Sequence, residues 1–155
     1  MSIIRPVPVD PAPETLQDGN TETGWSFILD YPKPPYGLSQ NDRPRHWAIK
    51  SGAVKDIRAE VFAKVRALHL GVLEKIRVDV VWVVNTRHRR DTDNLAPFLK
   101  AIYDGIGADR GVSAHLVDDD DPEHMLKPTA TIRYEKGARA HFRVTITALG
   151  GGADQ

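Results

Sequence analysis

The chain has 155 residues, a length that predicts one domain able to bury a hydrophobic core without covalent cross-links. It contains no cysteine, which excludes disulfides, cysteine-based metal sites and thiol nucleophiles. No apolar segment reaches membrane-spanning length and the first residues lack the apolar core of a signal peptide. We therefore expect a cytoplasmic protein with no membrane partner.

The formal net charge is zero, but the charge is unevenly distributed along the chain. Residues 41–100 carry 13 basic and 7 acidic side chains, whereas the segments on either side each have a net charge of −3. This segregation is typical of a local phosphate-binding surface, and a solvated helix face rich in lysine and arginine explains it equally well.

The first half of the chain predicts a tail, a strand, a loop and a helix. Residues 1–24 are rich in proline and acidic residues, which predicts a flexible tail. Residues 25–31 predict the strand, and residues 32–47, with four prolines, predict a long loop of the kind that is often functional. Over residues 48–69 apolar side chains recur every three or four positions, which predicts an amphipathic helix that stops near Gly71.

The middle of the chain predicts a strand followed by a second helix. In KIRVDVVWVV, residues 75–84, every second residue is apolar, which predicts a strand with one buried face. Residues 85–93 form a polar loop, and residues 94–106 predict a helix that Asp93 or Asn94 would cap.

The last third predicts an irregular segment and two strands. The irregular segment contains DDDDPEH, residues 118–124, and residues 128–135 and 140–149 predict strands joined as a hairpin by KGAR. We therefore expect an α+β fold: one domain over residues 25–149 with a mixed sheet, two main helices and the order β-loop-α-β-α-β-β. Residues 150–155 predict a second flexible tail. The tryptophans are predicted to be core residues or loop anchors; they are Trp25, Trp47 and Trp82.

Asp91 and Asp93 lie two residues apart, directly after a predicted strand. In extended backbone, such residues project to the same side, so both carboxylates can reach one cation. Mg²⁺ suits this pair, because it binds oxygen ligands and usually takes one or two carboxylates together with waters and substrate phosphates. An isolated pair of this kind is more often a solvated loop or a helix cap, so the neighbouring residues decide its interpretation.

The residues around the pair carry positive charge. Three arginines precede it, and they are Arg87, Arg89 and Arg90. Guanidinium groups grip phosphate oxygens bidentately, which favours a polyanionic ligand beside the metal. On the predicted helix, Lys100 follows the stripe that begins at Asp93, and its ammonium group could neutralise charge at a scissile phosphate. The alternative for Lys100 is an ordinary salt bridge to Asp104, four residues further along.

Asp118–Asp121 is a run of four aspartates that cannot lie in a hydrophobic core. A solvated surface loop is the simplest interpretation. If the fold brings the run over the second helix, it would supply a third and perhaps a fourth carboxylate to the pair. Metal sites that hydrolyse phosphodiesters need about that number of ligands.

The order Asp91-Thr-Asp93-Asn94, then Lys100-xxx-Asp104-Gly105, then a later pair of aspartates resembles the RusA family of Holliday junction resolvases. The resemblance covers residues 26–149 and includes the segment PPYGLSQNDRPRHW. Members of this family are Mg²⁺-dependent endonucleases of bacteria and phages that act as homodimers on four-way DNA junctions.

The resemblance implies specific roles for the acidic residues. Asp91 and Asp93 would be catalytic metal ligands, Asp120 the third ligand with Asp119 beside it, and Asp121 the reserve. The family lysine lies three residues after the asparagine, where this chain has Pro97, so its role would pass to Lys100. Further site residues implied by the motif are Asn94 and Asp104.

The function that the resemblance implies is Mg²⁺-dependent cleavage of Holliday junctions by paired nicks, with Mn²⁺ as a possible substitute for Mg²⁺. Two alternatives are a nuclease for other branched DNA, such as flaps and forks, and a non-catalytic junction-binding protein. A metal-binding structural domain is a fourth possibility. The residues expected to contact the DNA backbone are Asn41, Arg43, Arg45, His46, Lys50, Arg87, Arg89 and Arg90.

Overall fold

The apolar alternation of KIRVDVVWVV forms the central strand of a five-stranded mixed sheet in the computed structural model, which describes residues 24–43 and 46–149. The elements in chain order are β1 (Gly24–Leu29), α1 (Trp47–Arg66), β2 (Lys75–Val84), a 3₁₀ turn (Thr92–Leu95), α2 (Ala96–Gly107), β3 (Met125–Leu126), β4 (Thr131–Tyr134) and β5 (His141–Leu149). The predicted α+β class, mixed sheet and two main helices are confirmed. The short strand β3 is additional to the predicted order.

The two sides of β2 pair with different strands. On one side β5 runs antiparallel to β2, and β1 runs antiparallel to β5 at the sheet edge. On the other side β3 pairs in parallel with the start of β2, and β4 pairs in parallel with its end. The segment from β2 through α2 to β3 is therefore a parallel crossover connection, and α2 carries the chain back towards the start of β2.

The predicted hairpin between the last two strands is wrong. β4 and β5 lie on opposite sides of β2 and do not pair with each other. The turn signal in KGAR is real, since Gly137 has a φ of 80°, but it carries the chain across the end of β2. The backbone N–H and C=O groups on both sides of β2 need hydrogen-bond partners, and β4 supplies them on one side while β5 supplies them on the other.

The hydrophobic core lies between the sheet and the two helices. The predicted face of β2 is buried, and its Trp82 stacks on Phe142 of β5 with the ring centroids 5.1 Å apart. Phe98 of α2 packs edge-on against Phe142 at 4.6 Å. α1 contributes the buried stripe Ile57, Val61 and Val65, as its spacing predicts. Among the described residues, no helix is both long and apolar enough to cross a membrane.

Several predicted boundaries differ from the structure. α1 ends at Arg66 rather than near Gly71, and His69, three residues later, has a left-handed φ of 57°. The second helix begins with a 3₁₀ turn that Asp91 caps, in place of Asp93 or Asn94. A 3₁₀ turn at the start of an α-helix is common because it tightens the first turn.

The remaining differences concern the chain ends and one tryptophan. Gly24, predicted to end the N-terminal tail, is the first residue of β1, and the predicted tails over 1–23 and 150–155 lie outside the described residues. Trp82 is buried as predicted, whereas Trp47 is 81% exposed, so its prediction as an anchor is wrong. Its position at the first residue of α1 turns the indole away from the core.

Candidate metal and nucleic-acid site

Asp91 and Asp93 lie between β2 and α2, and both side chains are exposed. Oδ1 of Asp91 accepts a hydrogen bond of 2.9 Å from the backbone N–H of Asp93, which caps the 3₁₀ turn. The cap holds the two residues at a fixed spacing. A carboxylate has two oxygens with about four lone-pair sites, so capping leaves Asp91 able to bind a cation.

Arg90 shapes the loop that leads into this pair. Its guanidinium donates hydrogen bonds of 3.0 Å to the carbonyl oxygens of Thr86 and His88, and one of 2.7 Å to Oγ1 of Thr86. The same group lies 5.5 Å from the ring centroid of Trp82. Most of the hydrogen-bonding capacity of Arg90 is therefore used to hold residues 85–90, which we call the basic loop.

The other two arginines of the basic loop differ in their surroundings. The guanidinium of Arg87 stacks over the ring of Tyr134 in β4 at 4.0 Å, a cation–π contact that fixes the loop against the sheet. Arg89 is exposed and lines a cleft beside Asp91. Arg89 is thus the arginine of this group that is best placed to meet an anion near the carboxylates.

Asp91 lines one of two neighbouring clefts, and the start of α2 lines the other. The loop cleft, of about 300 Å³, has both acidic and basic walls, which include Lys33, Tyr36, Asp42, Arg89 and Asp91. The helix cleft, of about 630 Å³, lies between the start of α1 and the first turns of α2, and its walls include Arg43, Lys50, Pro97, Lys100 and Asp104. Both clefts are open to solvent. In their walls, positively charged side chains outnumber the carboxylates.

Lys100 forms the salt bridge that the spacing predicts. Its ammonium Nζ lies 3.4 Å from Oδ2 of Asp104, and its side chain remains 74% exposed along the helix cleft. Asp104 is buried, and Nη1 of Arg58 in α1 lies 3.8 Å from the same oxygen. The ordinary structural role of Lys100 is therefore present, and its exposed end is still available to an anion in the cleft.

The predicted DNA-contacting residues of the proline-rich loop border the same clefts. Arg43 lines the helix cleft and donates hydrogen bonds to the carbonyl oxygens of Gln40 (3.0 Å) and Asp42 (3.1 Å). Lys50 also lines it, and Asn41 and His46 are exposed nearby in sequence. Arg45 lies outside the described residues.

The loop is hydrogen-bonded to β2 and to Asn94, the residue that follows Asp93. The backbone N–H of Gln40 donates a 2.9 Å hydrogen bond to the carbonyl oxygen of Asn94, and Trp82 Nε1 donates one of 3.0 Å to Pro32. These contacts explain why two segments that are distant in sequence share the same clefts.

Asp42 is a residue that the sequence reasoning did not single out. It lines both clefts, and its Oδ2 accepts hydrogen bonds from the backbone N–H groups of Gly37 (2.7 Å) and Ser39 (3.1 Å). The signal was weak: a single aspartate in a turn-rich segment usually caps a turn, and Asp42 does that as well. Its carboxylate shares the loop cleft with Asp91.

The acidic turn, Asp118–Asp121, lies at the opposite end of α2. Val117 packs on Gly107, the last residue of α2, whereas Asp93 lies in the 3₁₀ turn that leads into the first residue of α2. The twelve residues of α2 rise roughly 18 Å along the helix axis. Within one chain, the structure therefore does not bring Asp119 or Asp120 to Asp91 and Asp93.

The acidic turn has its own local partners. Oδ2 of Asp120 lies 3.6 Å from Nζ of Lys127, and Oδ1 of Asp119 accepts a 2.7 Å hydrogen bond from the backbone N–H of Asp120. Oδ1 of Asp121 contacts Nδ1 of His124 at 2.6 Å. That hydrogen bond raises the pKa of His124 and lowers the pKa of Asp121.

One group of three potential metal-ligating side chains occurs within residues 24–43 and 46–149, with its ligand atoms all within 4.8 Å of one another. It consists of Asp121, Glu123 and His124. The hydrogen bond between Asp121 and His124 accounts for most of this proximity. The group differs from the expected one, in which Asp91, Asp93 and Asp120 share a cation.

The fold and the site define a class in coarse terms: an α+β protein with an exposed carboxylate pair next to clefts whose walls carry both basic and acidic side chains. Neither the models of known protein families nor the curated proteins contain a match to this sequence.

Proposed function

We propose that the protein is a Mg²⁺-dependent endonuclease that acts on branched DNA, with the four-way junction as its expected substrate. The observation that carries the proposal is that Asp91 lines one cleft together with Arg89, while α2, which begins just after Asp93, lines a second cleft together with Arg43. The motif that resembles RusA enzymes points to the same residues. Phosphate groups bound along such a surface would pass beside the carboxylate pair.

The residues present fit a magnesium ion. Asp91 and Asp93 offer exposed carboxylate oxygens, which are the ligands that Mg²⁺ takes together with waters and substrate phosphates. When bound there, Mg²⁺ would activate water and stabilise the leaving oxygen of a phosphodiester. Lys100 would balance charge on the phosphate, while Arg89 and Arg43 would hold the flanking backbone in position.

A matched pair of variants tests this proposal. We expect Asp93→Asn to lose junction cleavage in Mg²⁺ while still binding junctions, because it loses a metal ligand and some repulsion of phosphate. Removing groups that only orient a ligand costs 10–100-fold, so loss of a ligand should lower the rate by at least about 100-fold. Asp56→Asn, an exposed aspartate in the middle of α1, is the control and should cleave normally.

The measurement is the rate at which labelled four-way junctions are nicked, together with binding in a mobility-shift assay. Equal cleavage by wild type and Asp93→Asn would remove these residues from the active site. Faster cleavage of flap or fork DNA than of four-way junctions would keep the nuclease and change its substrate.

A second candidate is a junction-binding protein without nuclease activity. It is favoured by one specific observation: the acidic turn and the Asp91–Asp93 pair lie at opposite ends of α2 in a single chain. Tight junction binding by the wild type without any nicking in Mg²⁺ or Mn²⁺ would support this candidate over the nuclease.

A further inference from the structure

One exposed aromatic ring lies in the wall of the loop cleft. Tyr36 is 57% exposed, although Gly37 and Leu38, which follow it, are buried. Trp82 is a second aromatic residue of the wall, but its side chain is 8% exposed and its ring is stacked within the core. Tyr36 is therefore the ring whose face a ligand in this cleft can reach.

A tight turn holds Tyr36 in this position. The backbone N–H of Leu38 donates a 2.9 Å hydrogen bond to the carbonyl oxygen of Pro35, which closes a four-residue turn with Tyr36 at its second position. Gly37 has a φ of 97°, which suits the third position of a type II turn. The side chain of Leu38 is fully buried, so the turn is anchored to the core directly beside the exposed ring.

Two further contacts fix the turn. Oδ2 of Asp42 accepts hydrogen bonds from the backbone N–H groups of Gly37 (2.7 Å) and Ser39 (3.1 Å). A Cβ atom built on Gly37 would lie 3.4 Å from Cα of Lys50, so the turn also packs closely on the first turn of α1. Because the backbone that carries the ring is already fixed, a ligand that stacks on the ring pays little for ordering it.

The same cleft combines this ring with charges that suit a nucleotide. Lys33 and Arg89 are exposed in its wall, and a guanidinium can grip phosphate oxygens bidentately. Asp91, the proposed metal ligand, lines the cleft as well. Proteins that bind single-stranded nucleic acid combine a basic groove with aromatic rings on which the bases stack, and the loop cleft has both parts.

The volume of the cleft limits its ligand. About 300 Å³ lies at the lower end of the range for small-molecule pockets, which suits one nucleotide. A base in continuous duplex is paired and stacked on its neighbours, so it has no free face for a side chain. Moving a base out of its stack costs free energy, and the cost is smallest where pairing is already interrupted. The cleft therefore favours DNA with unpaired bases at a branch point.

We propose that the loop cleft is a subsite for one unpaired nucleotide, with its base stacked on Tyr36 and its phosphate held by Arg89 beside Asp91. That this phosphate neighbours the scissile one rests on the proposed function, whereas the stacking requires only that the protein binds DNA. Phosphate contacts are common to branched and continuous DNA, so the subsite supplies a preference for branch points that the basic side chains do not.

Removal of single bases tests the subsite. Four-way junctions are prepared with one abasic nucleotide placed in turn at each position next to the branch point, and binding is measured by mobility shift. All proteins carry Asp93→Asn, so that the DNA stays intact. At one of these positions, loss of the base should weaken binding by at least about 5-fold when Tyr36 is present. With Tyr36→Ala the same loss should change binding by less than about 2-fold, because the base no longer has a partner.

Two further variants separate stacking from other effects. Tyr36→Phe keeps an aromatic ring and should retain the sensitivity to the missing base. Trp47→Ala removes an exposed ring from the first residue of α1 rather than from the wall of the loop cleft, and it should retain that sensitivity too. Because Tyr36 is exposed, its replacement should leave the folded state intact, which circular dichroism checks.

The outcomes distinguish the subsite from the proposed function. Equal penalties for the missing base in Tyr36→Ala and its parent, at every position, would overturn the subsite even if the wild type nicks junctions in Mg²⁺. A wild type that does not nick, combined with a penalty that disappears in Tyr36→Ala, would keep the subsite and overturn the nuclease. A protein that does not bind junctions at all would overturn both.

Discussion

Burial controls the ionisation of Tyr103 on α2. Desolvation raises the pKa of its phenol to about 12, and the nearby charge of Asp79 adds to the effect. The side chain is 9% exposed, and Nζ of Lys127 lies 5.3 Å from its ring. The fold therefore favours the protonated phenol more strongly than the unfolded chain does.

The shift at Tyr103 predicts how stability depends on alkaline pH. Because the folded-state pKa lies above the ordinary value of 10.0, the stabilisation is fully present below pH 10 and is lost as pH rises towards 12. Tyr103→Phe has no phenol to ionise, so its free energy of unfolding should fall less steeply over this range. Urea unfolding at several pH values measures this, and parallel declines in the two proteins would contradict it.

The arginines of the basic loop have different structural roles although they lie within four residues of one another. Of the three arginines before Asp91, one holds its own loop by hydrogen bonds, one stacks on Tyr134 and one, Arg89, borders the cleft. Sequence alone predicted a group of phosphate-gripping arginines and could not separate these roles. Each role depends on an aromatic ring or a carbonyl oxygen that the fold brings into reach.

At the scale of the elements, the contact between α1 and α2 depends on Gly105. A Cβ atom built there would lie 2.9 Å from Cβ of Val61 and 3.0 Å from the carbonyl oxygen of Arg58. The backbone of α1 provides the second contact, so the helices must move apart to accept a side chain. Gly105 thus sets how closely the two helices cross.

This contact predicts opposite effects for two glycine substitutions. Gly105→Ala should destabilise the protein by about 1–3 kcal/mol, because overpacking outweighs the gain in helix propensity. Gly52→Ala on α1, where the new methyl meets no atom within 4 Å, should stabilise it by about 0.5–1 kcal/mol. Urea unfolding followed by circular dichroism tests both, and a neutral or stabilising Gly105→Ala would show that the helices can separate freely.

At the scale of the whole molecule, positive and negative side chains are equal in number but are concentrated in different regions. The basic loop and the clefts lie at one end of α2, and the acidic turn lies at the other. A nucleic acid would therefore meet a positive end of a neutral protein. The local field, rather than the net charge, determines such binding.

The segregation predicts a salt-dependent contact at Arg89. If Arg89 neutralises one phosphate, Arg89→Ala should weaken junction binding and reduce the slope of log K against log salt by about 0.9. Arg143→Ala, an exposed arginine on β5, should leave the slope unchanged. Mobility-shift titrations at several salt concentrations measure both slopes, and an unaltered slope in Arg89→Ala would exclude it from the interface.

The sequence by itself determined the α+β class, the bounds of β2, the buried stripe of α1 and the salt bridge of Lys100 with Asp104. Each of these depends on a repeat of two to four residues within one element, and a local pattern contains that information. It also placed Asp91 and Asp93 in a loop directly after a strand, where their exposure follows from their charge.

Only the tertiary structure decided which segments meet. Strand pairing put β4 and β5 on opposite sides of β2, although their turn signal predicted a hairpin. The parallel crossover through α2 placed the acidic turn at the end of the helix away from Asp93, and hydrogen bonds brought Asp42 to the clefts instead. These outcomes depend on which backbone edges and apolar faces find partners, and that choice is made by the whole chain at once.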